Sequence, residues 1–470
     1  MAIRFSVILF LLFLSTLIDQ TTYAGENENK FLVSSISIRG NTITNKKIIL
    51  RELPFKIGDT LDSLNLPDLA IRCKANLHNT HLFNFITVNH IINGNQVEWY
   101  IVVEERWYIW PFPILEYEDR NLSSFIKNAD LSRVNYGAYI KVDNFRGMRE
   151  QIKLRLISGH RKQVTLQYIT QNLDRDKRHG LSAWISYYTK HEVNYASNNN
   201  KPLYFKSDNG PARQVFFADL TYHYRPKHYW YHALTVGTLH AKASDALVAL
   251  NPNYLGDENT TFWYNHITYE ATLDKRNSKI FPLGGYLFRS ELSRQGFSKQ
   301  ESLNHWYLRL TGGLYGKLAN RVFAGSDVMF RASTQTNSPY FLNEAIGYVD
   351  FIRGYEHYVT NGSTYYINKN SLKFELLPTK VINLPLIPEG KLKKAHLAIY
   401  WSLFADTGYV KPDAPLPSNS LEGKMIFGYG TGLYIVAYYD IVFRVEYSFN
   451  GFGESGFFFH FGSPFLINYK

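Results

Sequence analysis

Among the side chains able to do chemistry, Arg353 stands in the least ordinary setting: it lies in FIRGYEHY, flanked by Phe351, Ile352, Gly354 and Tyr355. A guanidinium never sheds its charge in a protein, so in an apolar pocket it serves as a fixed cation for carboxylates and moves no proton. Groups for bond-making chemistry are missing as motifs. GFGESGFF lacks the last glycine of a G-x-S-x-G nucleophile elbow, and the 15 histidines show no H-E-x-x-H spacing. No catalytic residue, metal or cofactor is therefore expected. Cys73 is the only cysteine, which rules out a disulfide framework. In LPDLAIRCKANL it stands at helical spacing from Leu66, Leu69 and Leu77, as a small buried apolar group would.

The chain opens MAIRFSVILFLLFLSTLIDQTTYAG, with Arg4 ahead of an apolar run from Phe5 to Ile18 and then Thr22-Tyr23-Ala24. That order of charged, apolar and small-residue regions predicts a cleavable secretory signal over 1–24. The run falls short of the about 20 residues an anchoring helix needs, and no later run reaches that length. An exported chain of this kind is either soluble or a β-barrel, since only helices and closed barrels satisfy the backbone in lipid. The 35 Tyr, 32 Phe and 8 Trp favour the barrel, whose interfaces carry aromatic girdles. A net charge of +11 would suggest nucleic acid for a cytosolic protein. For an exported one it fits solvated loops and anionic lipid head groups, with no nucleic-acid partner.

Residues 30–105 read as a small mixed domain. FLVSSISIRG alternates as a strand, and TNKKIILREL and DSLNLPDLAIRCKANLHN carry helical apolar spacing. LFNFITVNHII and QVEWYIVVEER are strands joined by Asn93-Gly94-Asn95, a hairpin signal. The predicted order is βααββ. From 106 to 470, sixteen strand windows start near 107, 134, 149, 162, 180, 213, 229, 261, 285, 303, 321, 364, 394, 421, 440 and 456. In EQIKLRLIS, Ile152, Leu154 and Leu156 oppose Lys153 and Arg155; in DIVFRVEYSF, Ile441, Phe443, Val445 and Tyr447 oppose Arg444 and Glu446. Such strands set one face in lipid and the other in a polar lumen. Short links such as NFRGM, RPKHY and KLAN largely alternate with long polar ones near 190–212, 242–260 and 334–363. The link near 377–393 is longer than its side should allow.

ISIRGNTITNKKIILRELPFKIGDT, followed by LFNFITVNHII and WYIVVEER, resembles a POTRA domain, the periplasmic module of BamA-like outer-membrane assembly proteins. Gly40-Asn41, Gly58-Asp59 and Leu82-Phe83 stand where that family has its turns and the start of a strand. One copy fits ahead of the barrel. The chain is similar to a single-POTRA member of the BamA/TamA-like superfamily, with the bacterial surface antigen type of barrel. The resemblance implies a small α/β POTRA domain (βααββ) followed by an antiparallel transmembrane β-barrel of about 16 strands.

Four further motifs carry the resemblance into the barrel. DFIRGYEHY is similar to the VRGF/Y-type motif of the long sixth extracellular loop, and LDKRNSKIFPLGG to the D-x-R … P-x-x-G turn. FADTGYV resembles the aspartate-plus-glycine strand motif, and SLKFELL the strand that carries a glutamate. The resemblance implies that a loop around 345–362 folds back into the barrel. There Arg353 would pair with two inner-wall acids, Glu375 and Asp406. Alternation permits this. Leu372, Phe374 and Leu376 share one face, as do Leu397, Ile399, Trp401 and Leu403, which leaves Glu375 and Asp406 pointing inward. An ion pair at 4 Å is worth roughly 4 kcal/mol at an effective dielectric of 20, and desolvation offsets much of it.

The first barrel strand, WYIWPFPILEYED, holds Pro111 and Pro113. Proline cannot donate to a ladder and is confined largely to edge strands. Two residues apart, both missing donors lie on the same side. The second strand, RVNYGAYIKVDNF, should then pair fully, and the last, SGFFFHFGSPF with Gly462 and Pro464, should pair poorly. The chain continues past Phe465 to LINYK, whereas outer-membrane barrels commonly end on an aromatic residue. A seam of this kind exposes edges that template an added strand.

The expected function is that of an outer-membrane protein assembly factor, inserting or translocating unfolded chains through the POTRA edge and the lateral seam. Its partners would be unfolded outer-membrane or exported clients, outer-membrane lipids and accessory lipoproteins. The POTRA domain would sit in the periplasm of a Gram-negative bacterium. The competing readings are a single-substrate secretion pore and a passive plugged channel or receptor. A lipase domain ahead of the POTRA domain, as some relatives have, would not fit in residues 25–30.

Overall fold

A period of two in hydrophobicity builds sheet, and a period near 3.6 builds helix. In the computed structural model both appear where the sequence places them. The structure describes residues 30–117, 134–174, 176–335, 338–383, 394–413, 418–437 and 441–462. The expected signal over 1–24 and Pro464 lie outside the described residues.

The N-terminal unit runs β1 (Lys30–Arg39), α1 (Lys46–Glu52), β2 (Thr60–Asp62), α2 (Leu66–His78), β3 (Phe83–Asn93) and β4 (Gln96–Glu105). The sheet order is β2-β1-β4-β3, with β1 parallel to β4 and the other pairs antiparallel. The βααββ order gains one short strand, β2, whose three residues are too few to show alternation. Asn45 caps α1 by accepting from the Lys47 N–H at 2.9 Å. Trp99, Phe83, Leu66, Leu77 and Cys73 form part of one buried core with the two helices. Each large apolar side chain buried there contributes about 1.5–3 kcal/mol. Burial pushes the Cys73 thiol up to about 12, so it packs and does not react.

The barrel opens with β5 (Ile109–Tyr117), β6 (Val134–Phe145), β7 (Glu150–Gly159), β8 (Arg161–Thr170) and β9 (His179–Lys190). A separate hairpin, β10 (Glu192–Asn198) with β11 (Lys201–Lys206), fills the long link after β9. Then come β12 (Arg213–Tyr224), β13 (Trp230–Ala243), the short helix α3 (Asp245–Leu250), β14 (Thr261–Asp274) and β15 (Gly285–Gln295). The series closes with β16 (His305–Ala319), β17 (Val322–Ser333), β18 (Thr364–Asn383), β19 (Lys394–Lys411), β20 (Met425–Ala437), β21 (Ile441–Asn450) and β22 (Ser455–Gly462).

These strands, the hairpin apart, form one 16-stranded sheet in which chain neighbours pair antiparallel. The largest offset from an expected start is Met425 against 421. The first part of the long link near 377–393 is strand, because β18 runs on to Asn383, and residues 384–393 lie outside the described residues. Outward positions are apolar, as at Leu220, Val236, Phe288 and Leu292, while Ser186, Ser293 and Ser402 are buried inside. That arrangement inverts a soluble core and suits a barrel in lipid. Among the described residues no helix is long and apolar enough to cross a membrane.

The POTRA-like unit is fastened to one rim of the barrel. Glu52 at the end of α1 accepts from both Arg225 Nη atoms, at 2.5 and 2.8 Å, and Arg149 lies 3.4 Å away. Asn45 N–H donates to Gly147 O at 2.9 Å, and Arg51 Nη2 to Arg225 O at 2.9 Å. Burial alone would raise the Glu52 carboxyl, but Arg225 and then Arg149 override it and hold it at about 2. A depressed folded pKa adds stability that is complete above the unfolded value and is lost as pH falls through the folded one. Docking should therefore hold from neutral pH to about pH 4.5 and fail towards pH 2, a loss of about 3 kcal/mol. Amide hydrogen exchange in α1 measures this. Unchanged protection across that window would contradict it.

Candidate functional site

The segment between β17 and β18 enters the barrel and packs on the wall that ends at the last strand. Its tip is apolar: Ile352 and Val359 are fully buried, and Ile352 and Tyr355 pack with Ile346, Ile367, Val410 and Ile426. This burial draws the loop inward, and glycines make room for its backbone. Gly354 sits at φ +92, and a Cβ there would meet Phe449 O at 2.7 Å. A Cβ on Gly428 of β20 would lie 1.9 Å from Arg353 O. Gly428→Ala should thus expel the loop tip while leaving the sheet intact. The check is a rise in protease cleavage within 345–362; a resistant loop would contradict the packing.

Arg353 is itself buried. Its Nη2 and Nε donate to the two Asp406 carboxylate oxygens at 2.5 and 2.8 Å, a bidentate fork. Its backbone N–H reaches the same carboxylate at 3.2 Å. Nη2 also donates to Asn370 O, and Nη1 to the Tyr434 hydroxyl, both at 3.1 Å. The guanidinium carbon stands 4.0 Å above the Phe404 ring. Asp406 is wholly inaccessible, so this cation is its compensation.

Glu375 takes a different partner. Its Oε1 accepts from the Tyr400 hydroxyl at 3.2 Å, and among the described contacts it makes none with Arg353. Register explains the correction. Asp406 lies opposite Lys369 and Glu375 opposite Tyr400, six residues further along β18. At about 3.3 Å per residue the two acids are roughly 20 Å apart along the strands, beyond one side chain's reach. The second acid at Arg353 is Glu446 of β21, whose Oε1 lies 3.8 Å from Nη1 and accepts from Tyr434 at 2.7 Å. The inward alternation of DIVFRVEYSF already put Glu446 on the lumen face. What alternation could not supply was which lumen acid shares the loop's level.

Phe351 stacks on His460 of β22, with ring centroids 5.0 Å apart, and Lys369 Nζ stands 4.3 Å from the centroid of the Phe351 ring. Tyr355 Oη accepts from Gly451 N–H at 2.7 Å, and Gly354 O from Asn450 Nδ2 at 3.1 Å. The loop is therefore tied to β19, β20, β21 and the turn that leads into β22.

β5 and β22 are the two ends of the sheet, and among the described residues no ladder joins them. The orientation of the β5 backbone follows from one bond. Asp143 N–H donates to Tyr108 O at 2.7 Å, in the register that pairs Ile109 with Val142. Even-numbered residues of β5 thus hydrogen-bond to β6, and odd-numbered ones face the free edge. Pro111 and Pro113 are odd, so both missing donors lie on that edge. Ile109 O, on the same side, accepts from the Trp107 indole. On β22, Asn450 N–H donates to Glu454 O and the register pairs Ser448 with Gly456, so Phe457 and Phe459 turn their N–H groups outward. Gly462 is the last described residue of β22. One edge offers donors and the other lacks two.

A family model described as POTRA, surface antigen variable number repeat, matches residues 31–106. Among solved structures, the chain is similar to BamA from Haemophilus ducreyi lacking POTRA domains 1–3. Identity is 15%, the TM-score is 0.52, and 93% of this chain and 84% of that one are covered. It is also similar to CdiB from Escherichia coli, at 10% identity and a TM-score of 0.51, covering 94% and 92%. No curated protein sequence matches. The chain thus joins a POTRA-like region to a 16-stranded antiparallel sheet of BamA-like barrel fold.

Proposed function

We propose that the protein is an outer-membrane assembly factor that receives unfolded chains and releases them into or across the bilayer through the seam between β5 and β22. The observation that carries this reading is the free edge of β5, where Pro111 and Pro113 leave two positions without donors. Full closure would abolish the edges; this wall keeps one pair weak. A client strand that meets the outward carbonyls of Phe457 and Phe459 supplies the N–H donors that Pro111 and Pro113 of β5 lack.

The POTRA domain supports the reading with an edge of its own, since β3 ends its sheet. Facing the periplasm, it would hold an extended client before the seam. The buried Arg353 fork holds the inward loop on the strands beside β22, which supports a structural role for the FIRGY motif. None of these steps makes or breaks a covalent bond.

The test uses liposomes with and without the purified protein and follows the folding rate of urea-unfolded outer-membrane barrels. Acceleration supports assembly. No acceleration, with ion conductance that rises when Arg353 is replaced, would instead favour a plugged channel or a secretion pore.

A further inference from the structure

Beside the Arg353 fork, three donor atoms from three different elements converge. His460 Nε2 of β22 lies 3.2 Å from Glu446 Oε2 of β21 and 3.5 Å from Glu356 Oε1 of the inward loop. All three atoms lie within 4.8 Å of one another. Glu446 is fully inaccessible and the His460 side chain is 11% exposed. Yet the His460 Nε2 contacts with the two carboxylates are loose ion-pair contacts among the described residues. A charge-assisted N–H···O bond would be about 2.7–2.9 Å and aligned; these contacts are longer.

The same spacing suits a cation. Zinc bonds of 2.0–2.1 Å in tetrahedral array set neighbouring donors about 3.4 Å apart. The other atom of each carboxylate is already positioned: Glu356 Oε2 accepts from Gly354 N–H at 2.8 Å, and Glu446 Oε1 from Tyr434 at 2.7 Å. The Phe351 ring fixes the plane of the imidazole. Outer contacts that orient the donor atoms in this way are characteristic of metal sites. Arg353 and Arg444 stand 3.8 and 3.7 Å from Glu446 Oε1, the oxygen turned away from the cluster.

We propose that Glu356, Glu446 and His460 form a binding site for a divalent first-row transition ion of the zinc class. One imidazole and two carboxylates suit zinc and leave a fourth position open. The ion ties the inward loop to the last two strands, next to the free edge of β22.

The experiment titrates tag-free full-length protein in detergent micelles with Zn2+ by calorimetry, alongside His460→Gln and Glu356→Gln. Saturable binding of one ion per chain is expected, at least tenfold weaker in each variant. Affinity unchanged in the variants, or no saturable binding, overturns the site. Because a variant could fail to fold, the native protein is also digested with and without Zn2+. Several-fold slower cleavage within 345–362 is expected with the ion, and an unchanged rate counts against it. Co2+ in the native protein should give the intense visible bands of a tetrahedral ion; weak octahedral bands would reject the three-donor geometry.

Discussion

Arg353→Ala is expected to release the inward loop while the sheet stays folded. The change removes the fork from Asp406, which has no access to water, and takes a cation from beside Glu446. Stranding one partner of a buried pair costs about 3–5 kcal/mol. The ladders between β17 and β22 do not depend on the loop, so the cost falls on its docking. Heat-modifiable migration on a gel should persist, cleavage within 345–362 should appear, and conductance should rise. Arg353→Lys keeps the charge but not the fork, and an intermediate loss is expected. The two candidate acids separate cleanly. Asp406→Asn should approach the effect of Arg353→Ala, whereas Glu375→Gln, whose carboxylate accepts from the Tyr400 hydroxyl among the described residues, should cost under about 1 kcal/mol. Equal losses from the two would contradict the register given above.

The second large effect concerns the seam. Replacing Pro111 and Pro113 together by Val restores two donors on the free edge of β5. Each ladder bond made across to β22 contributes about 0.5–1.5 kcal/mol net. Two together amount to about 2 kcal/mol, which lowers the open fraction by more than about tenfold. The amides of Phe457 and Phe459 and the new ones at 111 and 113 should then exchange slowly. Acceleration of client folding should fall in parallel. Slow exchange with undiminished acceleration would refute opening at this junction; fast exchange at all four would show that the edges do not meet.

The single change Pro111→Val should give part of both effects, because Pro113 still interrupts the row. Both positions are exposed on the outer face, so the substitutions disturb no packing inside the lumen.

The sequence by itself determined the architecture. Strands reveal themselves through a period of two that each strand carries locally, so sixteen windows could be located without knowing how they meet. The POTRA-like unit was equally legible, because its helices, hairpin and turns are short-range features. The inward direction of Asp406 and Glu446 and the edge character of Pro111 and Pro113 followed from the same parity. What only the tertiary structure decided were matters of level and convergence. Register along β18 and β19 separated Glu375 from the loop and put Glu446 in its place, and no local pattern encodes a stagger between strands. The strand β2, the hairpin β10–β11 and α3 were too short, or too deep within polar links, to stand out. Gly428 reads as an ordinary strand glycine until a backbone comes to rest against it. The meeting of Glu356, Glu446 and His460 has no spacing signature at all, since it arises from a loop, a strand and its neighbour closing on one point.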